Sequence, residues 1–309
     1  MNMKIVSYQK FGGIDVLQMT EVPKPSVVAK QVLVKVKAVS INPLDWKIRM
    51  GDMKLMSGSK FPKRIGVDFA GIIDAIGEKV KSFKAGDEVF GVVNSMKEGA
   101  LGEFVLVTAT SLWRKPANIS FAQAASIPVA GVCAYQGIEE IGHVSAGSEV
   151  LINGATGGVG MFALQLAKQS GAQVTAVTNS EGVSFARKWG ADQTIEYSKE
   201  NVLQSGKKFD VIFDLSGKMP FEKARRILKN KAVFINPVPK LIDILLTKIT
   251  NLFTSQKNVI LLTSRMKRRS MQCSRRLIKD WKSKSAELFL SVNSAKPTNS
   301  PKKAALSVK

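Results

Sequence analysis

Between residues 3 and 115 the chain is a series of short β-branched and apolar runs separated by Gly, Pro and Asp. Residues 32–39 alternate apolar and polar positions, and similar runs follow at 71–77, 87–93 and 102–107. Short strands with glycine punctuation predict a compact β-rich domain. Near residue 120 the rhythm changes. Ser120 is placed to cap a helix over Phe121–Ala125, and a second helix is predicted through 134–141. Strands are then predicted at Glu149–Asn153, Gln173–Thr178, 192–197, Phe209–Asp214 and 231–235. Helices are predicted between them at 159–169, 181–189 and 220–229. This alternation specifies an α/β fold, a parallel sheet wound on both faces.

The order stops at about residue 263, where Ser, Lys, Arg and Pro take over. Residues 264–309 hold 13 Lys or Arg against Asp280 and Glu287, so this tail carries half of the formal charge of +22. The expected organisation is a β-rich domain over 1–120, an α/β domain over 121–262 and an atypical basic tail over 263–309. Just before the tail, Leu241 to Leu246 with Ile249, Leu252 and Phe253 form an apolar helical stripe, expected as core, dimer surface or substrate lid rather than a membrane anchor. No apolar run approaches the roughly 20 residues that span a bilayer, and Met1 to Val6 lack a signal-peptide pattern. Two cysteines, Cys133 and Cys273, and the single His143 cannot supply a Cys/His zinc site or a disulfide framework. The expected setting is soluble, reducing and cytoplasmic.

The strongest local chemistry is Gly154-Ala155-Thr156-Gly157-Gly158-Val159-Gly160, between a predicted strand and a predicted helix. A dinucleotide pyrophosphate requires glycine there for a tight turn, for close approach to backbone N–H groups and for close helix–strand packing. The helix N-terminus adds unpaired donors and a positive dipole end. At the end of the second strand, where an acid would meet ribose hydroxyls, stand Thr178, Asn179 and Ser180. Hydroxyls accept a 2′-phosphate that a carboxylate repels, which favours NADPH. If Glu181 rather than Ser180 faces the ribose, NADH is the alternative cofactor. Arg187 and Lys188 are expected on a solvated helix surface.

Several motifs in consistent order carry a family resemblance: Ser40 to Gly51 with Asn42-Pro43-Leu44-Asp45-Trp46-Lys47, Gly66-Val67-Asp68-Phe69-Ala70-Gly71, Phe83 to Val89, Ile127-Pro128-Val129-Ala130-Gly131, the glycine turn and Trp189-Gly190-Ala191-Asp192. Over about residues 3–262 the chain resembles the zinc-independent quinone oxidoreductase and plant-type alkenal reductase branch of the medium-chain dehydrogenase/reductase superfamily. The resemblance implies a GroES-like β domain joined to a Rossmann domain, with the active cleft between them. It also implies NADPH-dependent reduction of quinones or of the C=C bond of α,β-unsaturated carbonyls, and a homodimer. Zinc-using relatives carry a histidine ligand followed by Glu where Asp68 and Phe69 stand here, so no metal is expected. Carried over by position, Gly157, Gly158, Val159 and Gly160 resemble the pyrophosphate cradle, and Ser180 and Tyr197 the 2′-phosphate surroundings. Lys47 is similar to a cofactor-contacting cation near the substrate, Asn42 to the asparagine at the cleft, and Ser216 and Gly217 to residues that approach the cofactor.

The chain departs from the pattern at Cys133, where relatives often have threonine, and at Glu181–Gly182, where they often have Lys, Arg or Asn. It also ends without the family's closing strand, a composition shift of the kind a frameshift produces. The competing function is a non-catalytic nucleotide-binding protein, or a basic-tail binder of RNA or acidic lipid. With only Trp281 and Phe289 as aromatics in the tail, no base-stacking surface and no nucleic-acid partner are expected.

Overall fold

The computed structural model describes residues 1–239, 247, 251, 252 and 254–261, and the backbone pairing of Leu306–Ser307. Apart from Thr247, Asn251 and Leu252, the apolar stripe at 241–253 lies outside the described residues, as does the basic tail before Leu306. The chain divides into two compact units, one ending at Val129 and the other beginning at Ala130.

In unit 1, β1 (Asn2–Tyr8) pairs antiparallel with β2 (Gln18–Pro23). After β3 (Gln31–Ser40) come two helices, α1 (Pro43–Met50) and α2 (Lys54–Ser57), then β4 (Lys63–Arg64), which pairs with the other edge of β1. The larger sheet adds β5 (Asp68–Ile76), β6 (Glu88–Val92), β7 (Phe104–Thr108) and β8 (Leu112–Arg114). β3 is its spine. Its alternation feeds two cores: Val32, Val34 and Val36 pack with Phe69, Ile73 and Val105, while Leu33 joins Met3, Ile5 and Phe104. The helix α3 (Phe121–Ala125) starts where expected, because Ser120 Oγ accepts the Gln123 N–H at 3.2 Å and Gln123 Oε1 accepts the Ser120 N–H at 2.7 Å.

The helix predicted over 134–141 is longer. α4 runs Pro128–Tyr135 and continues as a π-helix over Gln136–Ile141. Pro-Val-Ala-Gly-Val-Cys-Ala-Tyr has no polar face, so its first turns carry no helical period.

Unit 2 contains β9 (Glu149–Asn153), α5 (Gly158–Gln169), β10 (Gln173–Thr178), α6 (Val183–Lys188), β11 (Gln193–Glu196), β12 (Phe209–Asp214), α7 (Phe221–Ala224), β13 (Leu228–Asn236) and β14 (Lys257–Ile260). All six strands are parallel, in the order β11-β10-β9-β12-β13-β14. Counted from β9 this is the Rossmann order, with its switch point between β9 and β12. The helix predicted over 220–229 is cut to one turn, followed by a 3-10 turn at Arg225–Ile227. Ile227 and Leu228 are drawn into the core with Phe209 and Phe234, and burial there outweighs helix propensity.

One expectation is overturned. The tail does supply a returning strand: β15 (Leu306–Ser307) pairs antiparallel with β3, Leu306 opposite Val39 and Ser307 opposite Ala38. A two-residue pairing leaves no period to detect in sequence.

Candidate functional site

In unit 2 the turn after β9 leads directly into α5. The Gly154 and Ala155 N–H groups donate to the Val177 carbonyl at 3.1 and 3.2 Å, which seats the turn on the end of β10. Gly157 is the N-cap of α5 and brings no capping side chain. The first N–H groups of the helix, at Gly158, Val159 and Gly160, therefore face the turn without an intrahelical acceptor. The glycines divide the work. A Cβ on Gly160 would stand 2.3 Å from the Ala155 carbonyl oxygen, so this glycine lets the helix close on the turn. A Cβ on Gly157 would meet only the Gly154 oxygen at 3.3 Å, and one on Gly158 only Ala130 Cβ at 3.9 Å. A helix N-terminus bordered there by glycine alone, with a tight contact at Gly157 and an ordinary one at Gly158, fits a pyrophosphate.

Ser216 and Gly217 follow β12 at the switch point. Asp214, fully buried, accepts Asn153 Nδ2 at 2.9 Å, Ser216 Oγ at 2.6 Å and the Met219 N–H at 3.0 Å. Asn153 Nδ2 also donates to Ser216 Oγ at 2.9 Å, so the ends of β9 and β12 are locked together beside the glycine turn. Ser180 and Tyr197 lie at the ends of neighbouring strands: the Tyr197 N–H donates to the Thr178 carbonyl at 3.1 Å, and both side chains are exposed. Glu181 is exposed beside them, as are Arg187 and Lys188 on α6.

In unit 1, Asn42 is the N-cap of α1, and its N–H donates to Asp45 Oδ2 at 2.6 Å. Asn42 Nδ2 donates to Asp68 Oδ2 at 3.0 Å, and Ser40 Oγ donates to the same oxygen at 3.1 Å. Burial pushes the Asp68 carboxyl up to about 8, against hydrogen bonds that lower it, and pushes Asp45 up to about 6. Lys47, on the same helix, is half-buried, with no ion pair among the described residues. Structure thus places Asn42 within a network that sequence reasoning did not assemble. The available signal was an acid inside an apolar run, in Val67-Asp68-Phe69 and again in Ile212-Phe213-Asp214.

Cys133 is buried, with burial pushing its thiol up to about 12, and among the described residues no three His, Cys, Asp or Glu gather where they could hold a metal.

A β-rich unit followed by a six-stranded Rossmann sheet defines the two-domain dehydrogenase class. The profile for the alcohol dehydrogenase GroES-like domain matches residues 28–117, and that for the zinc-binding dehydrogenases matches 158–237. The chain is 39% identical over 236 residues to the 2-methylene-furan-3-one reductase of Solanum lycopersicum, covering 74% of this chain and 60% of that relative. It is 33% identical over 249 residues to the chloroplast envelope quinone oxidoreductase homolog of Arabidopsis thaliana, covering 77% and 76%. The crystal structure of Escherichia coli quinone oxidoreductase complexed with NADPH superimposes with a TM-score of 0.75 at 27% identity, covering 89% and 87%. The chain belongs to the medium-chain dehydrogenase/reductase superfamily, with the quinone oxidoreductases and the alkenal and enone reductases.

Proposed function

We propose that this chain binds NADPH and reduces quinones or the C=C bond of α,β-unsaturated carbonyls without zinc. The observation that carries the reading is the uncapped N-terminus of α5, opened by Gly157 and Gly158 at the switch point of the sheet. The names of the tomato and Arabidopsis relatives and the NADPH complex of the E. coli enzyme support it.

Gly157, Gly158, Val159 and Gly160 would hold the pyrophosphate, with Ser216 and Gly217 approaching the same cofactor. Ser180 and Tyr197 would receive the 2′-phosphate; β10 ends in Thr178 and Asn179 follows it, rather than an acid, with Glu181 exposed beside them. NADPH, when bound, supplies the hydride. Lys47 would orient the acceptor and donate a hydrogen bond to the oxygen on which negative charge develops, and Asn42 would add a fixed polar contact.

Titration with NADPH and NADH tests the cofactor, and NADPH oxidation with a 2-alkenal or a naphthoquinone tests the reaction. Micromolar NADPH binding and chelator-insensitive turnover are expected; absence of binding to both nucleotides overturns the reading. Among the described residues no helix is long and apolar enough to cross a membrane. Assembly as a homodimer and a cytoplasmic setting complete the proposal, to be checked by light scattering and cell fractionation.

A further inference from the structure

Asp68 is fully buried, and its two oxygens are treated unequally. Oδ2 accepts three hydrogen bonds, from Asn42 Nδ2 at 3.0 Å, Ser40 Oγ at 3.1 Å and the Val129 N–H at 3.2 Å. Oδ1 is buried with no partner. Asn42 Nδ2 also reaches Ser40 Oγ at 3.3 Å. A carboxamide nitrogen has two hydrogens, and here both are directed at Asp68 and Ser40. The carbonyl oxygen of Asn42 takes part in the α1 capping box with the Asp45 N–H, and its second lone pair is what remains for a ligand.

We propose that Asp68 is a positioning residue that holds the Asn42 carboxamide nitrogen-inward, so that Asn42 meets a ligand as a hydrogen-bond acceptor and takes a hydroxyl or N–H group. A quinone or enone carbonyl, itself only an acceptor, is then not the partner of Asn42, and donation to its oxygen falls to Lys47. The assignment deepens the functional reading above and depends on it for the ligand; the orientation of the carboxamide does not. Burial, with Asp45 adding to it, pushes the Asp68 carboxyl up, against the hydrogen bonds from Asn42, Val129 and Ser40 that lower it.

The test is side-chain amide exchange of the full ¹⁵N-labelled chain by NMR, the Asn42 pair being assigned by its loss in Asn42→Asp. In the wild type this pair should exchange at least ~100-fold more slowly than that of the exposed Asn201, a protection expected of a buried, bonded donor. Asp68→Ser should accelerate it, while Asp68→Asn, which keeps an accepting oxygen, should leave it slow. Fast exchange in the wild type overturns the proposal whether or not any variant folds, and so does a rate that Asp68→Ser leaves unchanged.

Kinetics supply the second arm. Asp68→Ser should lower kcat/KM for the acceptor about tenfold with NADPH affinity unchanged, and add nothing in an Asn42→Leu background. Equal losses in both backgrounds show that Asp68 acts independently of Asn42 and overturn the proposal. A wild type that binds no nucleotide and turns nothing over sinks the functional reading alone, because amide exchange still decides the orientation.

Discussion

The hydroxyls of Thr156 and Thr178 lie 2.9 Å apart, tying the glycine turn of unit 2 to the end of β10. Gly182 packs beneath the pair: a Cβ there would stand 2.1 Å from Thr178 Oγ1 and 2.8 Å from Thr156 Cγ2. Thr178→Val keeps the shape and removes the hydroxyl, so it should cost about 1–2 kcal/mol in a urea melt. It should also weaken NADPH binding several-fold, because the turn loses one of its seats.

The glycines of the turn should separate stability from affinity. Gly160→Ala drives a methyl into the Ala155 carbonyl, 2.3 Å away, and should destabilise unit 2 by about 1–3 kcal/mol. Gly157→Ala meets only the Gly154 oxygen, a tight contact at 3.3 Å, with φ at −74°, so the melt should move less than for Gly160→Ala. NADPH affinity in Gly157→Ala should nevertheless drop about tenfold or more, since the methyl occupies the space over the helix N-terminus. Thermal melts paired with nucleotide titrations distinguish the two.

Cofactor choice should turn on the exposed end of β10. Ser180→Asp places a carboxylate against a 2′-phosphate and should weaken NADPH about tenfold or more relative to NADH. Glu181→Lys should move the ratio the other way. Competition titrations with both nucleotides read the outcome; an unchanged ratio in both variants would remove this loop from the 2′-phosphate site.

Stability should fall as pH rises. The folded-state value of Asp68 is raised from 3.8 to about 8, so the native chain keeps a proton that the unfolded chain releases. The contribution is complete below pH 3.8 and is lost as pH climbs through about 8, at up to about 1.4 kcal/mol per pH unit. Asp45, raised to about 6, acts in the same direction over a narrower window. Denaturant melts between about pH 5 and 8 should show a steeper decline for the wild type than for Asp68→Asn, whose amide does not titrate in this range.

Sequence by itself determined the alternation of strand and helix in unit 2, the place of the glycine turn and the Ser120 cap, because each is written within a few neighbouring residues. Period and turn chemistry are local, so they survive without the fold. Tertiary structure alone decided which polar groups meet: Asp68 finds Asn42 across 26 positions and Val129 across 61. It also ended the α7 helix early by drawing Ile227 and Leu228 into the sheet's core, and recruited Leu306–Ser307 onto β3. Those outcomes depend on burial and on partners brought from distant parts of the chain, and no short window of residues contains both members of such a pair.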